Sequence, residues 1–119
     1  MRDFKKFEIA QLARELAVLV YGTLGSFPQE EKYALCQQIR RCVVSIGANI
    51  AEGAGRKTEK DFAHFLTQAI GSACELEFLF LLSLDLAFLN VETQSNVDRN
   101  IQHLKRKLFR FRQTVLAEC

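Results

Sequence analysis

The residues best suited to chemistry are cations. Arg99, Lys105, Arg106, Lys107, Arg110 and Arg112 occupy a stretch without a carboxylate, whereas the span from Asp61 to Asp98 holds six acidic residues and no Lys or Arg. Formal charge is only +2, from 16 Lys and Arg against 14 Asp and Glu. Bulk attraction to nucleic acid or an anionic membrane is therefore excluded, and any such attraction must come from the distribution of charge. A basic stripe accompanied by His103 and Phe109 can follow a phosphate backbone, each neutralised phosphate releasing counterions. The same stripe can instead meet the acidic surface of a neighbouring copy, or be a solvated face. Charge clustering alone leaves these three readings open.

A second polar line, Gln37, Arg41, Ser45, Asn49, Glu52 and Arg56, recurs at steps of three and four. Reversal of the chain near residues 55–57 sets Arg41 level with Ser72 and Gln38 level with Glu75, so an ion pair between Arg41 and Glu75 is expected. Arg41, Asn49, Glu52 and Glu75 together read as a hydrogen-bond network that fixes helix register. One carboxylate beside one arginine lacks a second acid or a nucleophile, and His64 and His103 fall in no triad-like pattern, so no enzyme is expected. Gly53-Ala-Gly55-Arg-Lys57 superficially suggests a phosphate loop, but the order is wrong and a helix precedes it. The glycines are expected to end that helix, leaving Arg56 and Lys57 as candidates for an anion contact at the start of the next one. Cys36, Cys42, Cys74 and Cys119 contain no C-x-x-C spacing. They read as reduced thiols of a cytoplasmic protein with no metal and no cofactor.

These side chains must be held by helices. The chain has 119 residues, 49% hydrophobic and 25% charged, with one Pro, which excludes disorder and fits a single domain over residues 1–119. Almost no β-type alternation occurs, and four helices are predicted near residues 4–24, 29–54, 59–89 and 94–117. Asp3 is the expected cap of the first, whose stripe is Ile9, Leu12, Leu16, Leu19 and Thr23. Pro28 and the acidic pair after it open the second, with Tyr33, Leu35, Ile39, Val43, Ile46 and Ile50 on its apolar side. Thr58 and Asp61 form a capping pattern before the third, which carries Phe62, Leu66, Ala69, Ala73, Leu76 and Phe80. Residues 90–96 read as a polar turn, after which Val97, Ile101, Leu104, Leu108, Phe111 and Val115 recur in strict 4-3 spacing.

Short connections between four helices give an all-α, antiparallel up-down-up-down bundle. The apolar run from Phe78 to Leu84 is far short of a membrane span, so no segment is expected to cross a membrane. Apolar residues surround most of the third helix, and leaving Phe78, Leu81 or Phe109 in water forgoes about 1.5–3 kcal/mol each. A homo-oligomer that covers part of this surface is expected.

The run Gln38-Ile-Arg-Arg-Cys-Val-Val-Ser-Ile-Gly-Ala-Asn-Ile-Ala-Glu-Gly-Ala-Gly-Arg56 resembles the signature of the four-helix bundle family associated with intervening sequences in bacterial 23S rRNA genes. Phe62 to Leu66 followed by Ala69-Ile-Gly-Ser-Ala-Cys-Glu-Leu-Glu77 is similar to that family's second block. With Tyr21, Phe27-Pro28 and Tyr33 the resemblance spans nearly the whole chain. It implies a non-enzymatic bundle assembling as a ring-like pentamer. It also implies distant kinship with the accessory variability determinant proteins of diversity-generating retroelements, basic pentamers that engage RNA and a reverse transcriptase. The expected partners are thus other copies of the chain, RNA or DNA, and a protein such as a reverse transcriptase. The leading functional expectation is nucleic-acid binding through the fourth helix, and the alternative is a protein-interaction scaffold without nucleic acid.

Overall fold

Asp3 does act as a cap, but for a single 3-10 turn. Its carboxylate accepts from the Lys5 N–H at 3.1 Å at the start of Phe4–Lys6. Extended backbone at Phe7 then separates this turn from helix α1, Glu8–Thr23. Two further 3-10 turns, Leu24–Ser26 and Gln29–Glu31, lead to α2, Leu35–Ala54. Helix α3 is Glu59–Asp85 and α4 is Val91–Ala117. The computed structural model describes residues 2–119, and among these the fold is all-α, with no strand.

Three of the sequence-predicted boundaries move, each for a local reason. Pro28 and the acids after it open a turn as expected, but Ala34, at φ −116° and ψ −101°, breaks helical geometry before α2 begins. The Arg40 guanidinium donates to the Lys32 carbonyl at 2.9 Å across that break, and Tyr33 is 77% exposed instead of lying in the core. At the other end of the pair, α3 stops at Asp85, not near residue 89. Ala87 takes φ 62°, and the Ala87 and Phe88 N–H groups bond back to the carbonyls of Leu84 and Ser83. This is the left-handed C-terminal cap usually given to glycine. The polar segment after it supplies a helix start: Asn90 Oδ1 accepts from the Thr93 N–H at 2.8 Å, and α4 begins at Val91.

The apolar stripes find one another. Phe62, Leu66, Ala69, Ala73, Leu76 and Phe80 of α3 are all buried, as are Val97, Ile101, Leu104, Leu108 and Val115 of α4 and Ile39, Val43, Ile46 and Ile50 of α2. In α1, Ile9 and Leu16 of the expected stripe are buried together with Ala10, Ala13 and Val20, while Leu12 and Leu19 are only partly covered. Helix α3 packs against both α2 and α4, and α1 closes the bundle against the same two helices. The 27-residue helices span about 40 Å at 1.5 Å per residue, consistent with overall extents of 46 × 23 × 20 Å. Helix α3 is long and apolar enough to cross a membrane by length and composition. Ten of its 27 residues are buried against the neighbouring helices, whereas Phe78 and Leu81 stand exposed.

Gly53 is a packing residue and lies inside α2 instead of ending it. A Cβ there would stand 2.7 Å from Phe65 Cβ and 3.0 Å from Phe62 Cδ1, so only glycine lets α2 and α3 approach this closely beside their short connection. Gly55, at φ −83°, is the C-cap.

Candidate nucleic-acid interface

The six cations of α4 do not form one stripe. Successive residues advance about 100° around a helix, which turns Arg99, Arg106 and Arg110 directly away from the buried line of Val97, Ile101, Leu104 and Leu108. All three are exposed, and together they mark a ridge about 16 Å long at 1.5 Å per residue. Lys105, Lys107 and Arg112 fall on the flanks and are engaged. Lys105 Nζ is 2.9 Å from Glu77 Oε1 of α3, and Lys107 Nζ is 3.2 Å from Glu8 Oε1 of α1. Arg112 Nε donates to Thr67 Oγ1 at 2.8 Å. These three cations join α4 to its neighbours, so the sequence-predicted contact surface contracts to half its members. Arg99 is additionally held by a 3.2 Å bond from its Nη2 to Asn96 Oδ1.

Charge and hydrogen bonding tune the flank pair. Hydrogen bonds from Lys105 and Gln102 hold the Glu77 carboxyl below its ordinary range. The bond to Glu77 in turn raises the Lys105 ammonium, outweighing partial desolvation.

Arg56 and Lys57 are both exposed at the α2–α3 connection. The Arg56 guanidinium lies 4.5 Å from the Phe65 ring centroid, and its Nη2 is 3.3 Å from Glu52 Oε1. Arg2, unremarked in the sequence, dominates this corner. Its Nη1 donates to the carbonyls of Ala54 at 3.1 Å and Arg56 at 2.8 Å. Nη2 meets the Glu59 carboxylate, and the guanidinium rests 4.7 Å from the Phe62 ring centroid. It thereby satisfies the Ala54 carbonyl, which the end of α2 leaves without a helical partner, and the Arg56 carbonyl in the connection beyond it. Only the chain's return to this corner brings it there, which no local motif signals.

The expected network of Arg41, Asn49, Glu52 and Glu75 does not assemble, and Arg41 does not pair with Glu75. Arg41 Nη2 donates to the Gln37 side-chain oxygen at 3.0 Å, and Asn49 Nδ2 donates to the Ser45 carbonyl at 2.8 Å within α2. Glu52 pairs with Arg56, and Glu75 accepts from Gln38 Nε2 at 3.4 Å. The level of Gln38 with Glu75 is thus as expected, but Arg41 points outward and the seam is made by small residues. Ser45 Oγ and Ser72 Oγ are 2.7 Å apart, and the Cys42 thiol donates to the Ser72 carbonyl at 3.0 Å. Burial and the nearby Glu75 carboxylate push the Cys42 thiol up to about 12, so it stays protonated and unreactive at neutral pH. All four cysteines are free thiols, Cys36 and Cys42 buried, Cys74 and Cys119 exposed. Among the described residues no three His, Cys, Asp or Glu side chains gather as a metal site.

Residues 5–110 match the sequence profile of the 23S rRNA-intervening sequence protein family. Among solved structures the chain is similar to a protein with unknown function from the S23 ribosomal protein family from Bacteroides thetaiotaomicron. The TM-score is 0.80 at 24% sequence identity, covering 87% of this chain and 96% of that chain. No curated protein matches.

Proposed function

The chain belongs to the family of 23S rRNA-intervening sequence proteins, and from that premise we propose that it is a non-enzymatic, self-associating bundle that engages structured RNA or DNA through α4. The observation that carries this reading is the ridge of Arg99, Arg106 and Arg110. All three are exposed and none has a carboxylate within ion-pair distance among the described residues. The bundle is antiparallel, up-down-up-down. In support, Gln38 meets Glu75 while Gly53 faces Phe62 and Phe65, and Lys105 meets Glu77 while Arg112 meets Thr67. Copies associate as a ring, a pentamer by family resemblance, through exposed apolar side chains such as Phe78 and Leu81. Four free thiols support a cytoplasmic location.

The test is a salt titration of RNA and DNA binding with Arg106→Glu/Arg110→Glu. Losing two phosphate contacts weakens binding across sequences and lowers the salt slope by roughly two. Unchanged affinity, or no binding at low salt, overturns the reading. Lys105 is a poor probe because its loss also removes the Glu77 contact. A second reading, a scaffold for a protein such as a reverse transcriptase, is favoured by the exposed Phe78 and Leu81 on a helix with no cation after Lys60. A protein partner retained after nuclease treatment supports it.

A further inference from the structure

Away from α4, an open cleft of about 390 Å³ between α1 and the start of α2 is lined by Tyr21, Tyr33, Gln37, Arg40, Arg41 and Val44. No carboxylate lines it. Tyr33 is 77%, Val44 50% and Tyr21 47% exposed, so two aromatic rings and an aliphatic side chain face solvent beside two guanidinium groups. Arg40 is bonded to the Lys32 carbonyl and Arg41 to the Gln37 amide oxygen. Both acceptors are neutral, and neither arginine has a carboxylate within ion-pair distance among the described residues. Their positive charges are held in place without being compensated. Gln37 donates its amide N–H to the Tyr33 carbonyl at 3.0 Å, which ties the aromatic to the arginine, and Lys32 Nζ lies 5.4 Å from the Tyr33 ring centroid. Most N–H groups of the two guanidinium forks remain available.

A planar ring set beside preorganised, uncompensated arginines matches a ligand that is itself a flat aromatic carrying an anion. We propose that this cleft binds one unpaired nucleotide, its base stacked on Tyr33 and its phosphate on Arg40 and Arg41. Stacking on tyrosine tolerates any base but requires it to be unpaired, so the site distinguishes single strands from duplex, which a basic ridge on a helix does not. The inference rests on the nucleic-acid reading of the chain, but uses none of the α4 cations.

The chain contains two tyrosines and no tryptophan, and both tyrosines line this cleft. Intrinsic tyrosine emission therefore reports on this site alone. The experiment titrates the full chain with single-stranded oligouridylate, a blunt RNA duplex and uridine monophosphate, with emission corrected for nucleotide absorbance. Oligouridylate is expected to quench and duplex to leave emission unchanged. Quenching by uridine monophosphate at equal nucleotide concentration identifies the free nucleotide as the ligand, whereas quenching by the strand alone identifies the strand. Tyr33→Ala and Arg40→Gln/Arg41→Gln each weaken strand binding by about tenfold or more, and Tyr33→Phe, which keeps the ring, restores affinity measured by a labelled strand. These side chains are exposed or on the helix exterior, and circular dichroism verifies that each variant folds.

The proposal is overturned if no nucleic acid quenches, if duplex quenches as well as single strand, or if the cleft variants bind normally while Arg106→Glu/Arg110→Glu does not. That last pattern leaves the α4 reading standing, and the reverse pattern removes the α4 reading while keeping this one. Emission that changes with protein concentration and ignores RNA marks the cleft as a contact between copies, which also overturns the proposal.

Discussion

Cys42 and Ser45 sit where the sequence pattern suggested an ion pair, and they show why side-chain size decides the α2–α3 seam. Arg41 is one position around the helix from Cys42, and a 100° step is enough to take it from the interface to solvent. The alignment of Gln38 with Glu75 was legible from chain reversal alone, but which member of each level faces inward depends on rotation, which the pattern leaves loose. Thiol chemistry reads this placement directly. Under native conditions Cys74 and Cys119 are expected to take up a thiol-reactive label and Cys36 and Cys42 to resist it until the chain is unfolded, as counted by mass spectrometry. The flank pair makes a pH-dependent contribution. With Glu77 held below its ordinary 4.5, its contact stabilises fully above that value and fades as pH falls through the depressed one. Lys105, raised above its ordinary 10.5, keeps its share below that value and loses it in stronger alkali. Urea unfolding of Glu77→Gln should accordingly show a stability gap from wild type that is level from about pH 6 to 9 and narrows on acidification.

Helix identity was plain from periodicity, and helix ends were not. The stripes of α3 and α4 are strong because each buries large side chains at every turn, so tertiary packing and local pattern agree. The ends depend on single residues in unusual conformations. Nothing in Lys32-Tyr-Ala34 announces a break, and Ala87 is an ordinary helix former that is forced to φ 62° by the cap around it. An alanine there costs about 1–2 kcal/mol of backbone strain, so Ala87→Gly should raise the unfolding free energy by roughly 0.5–1 kcal/mol after the extra entropy of glycine is counted. The opposite substitution at the other connection has the opposite sign. Gly53→Ala drives a methyl against Phe65 and Phe62 and should cost about 1–3 kcal/mol, seen as a lower thermal midpoint.

At the scale of the whole molecule, the exposed apolar side chains are the surface that the proposed ring would cover. Val18 at 76%, Val91 at 65% and Phe78 at 62% stand in solvent on a chain of this size, and burying a side chain such as Phe78 is worth about 1.5–3 kcal/mol. Sedimentation should find an assembly larger than one copy, and Phe78→Asp should shift it to smaller species while circular dichroism and the thermal transition persist. A single-copy wild type at high concentration removes the ring from the proposed function and leaves α4 to act alone. The candidate surface was half legible for a reason at this scale too. Sequence identifies how many cations a helix carries, whereas their division into ridge and flank depends on the helices lying to either side.

The four helices are also unequal in how firmly they are held. Helix α1 is the shortest of the four at 16 residues and buries only Ile9, Ala10, Ala13, Leu16 and Val20, five positions against nine in α2, ten in α3 and six in α4. It is tethered to α2 by two single turns and a broken stretch. Fewer buried side chains, two of them alanines, are exposed when this helix parts from its neighbours than when any other does, so swinging it outward is the cheapest excursion available to the native state. Deuterium uptake at backbone amides should accordingly begin along Glu8–Thr23 and leave α2, α3 and α4 protected until global opening.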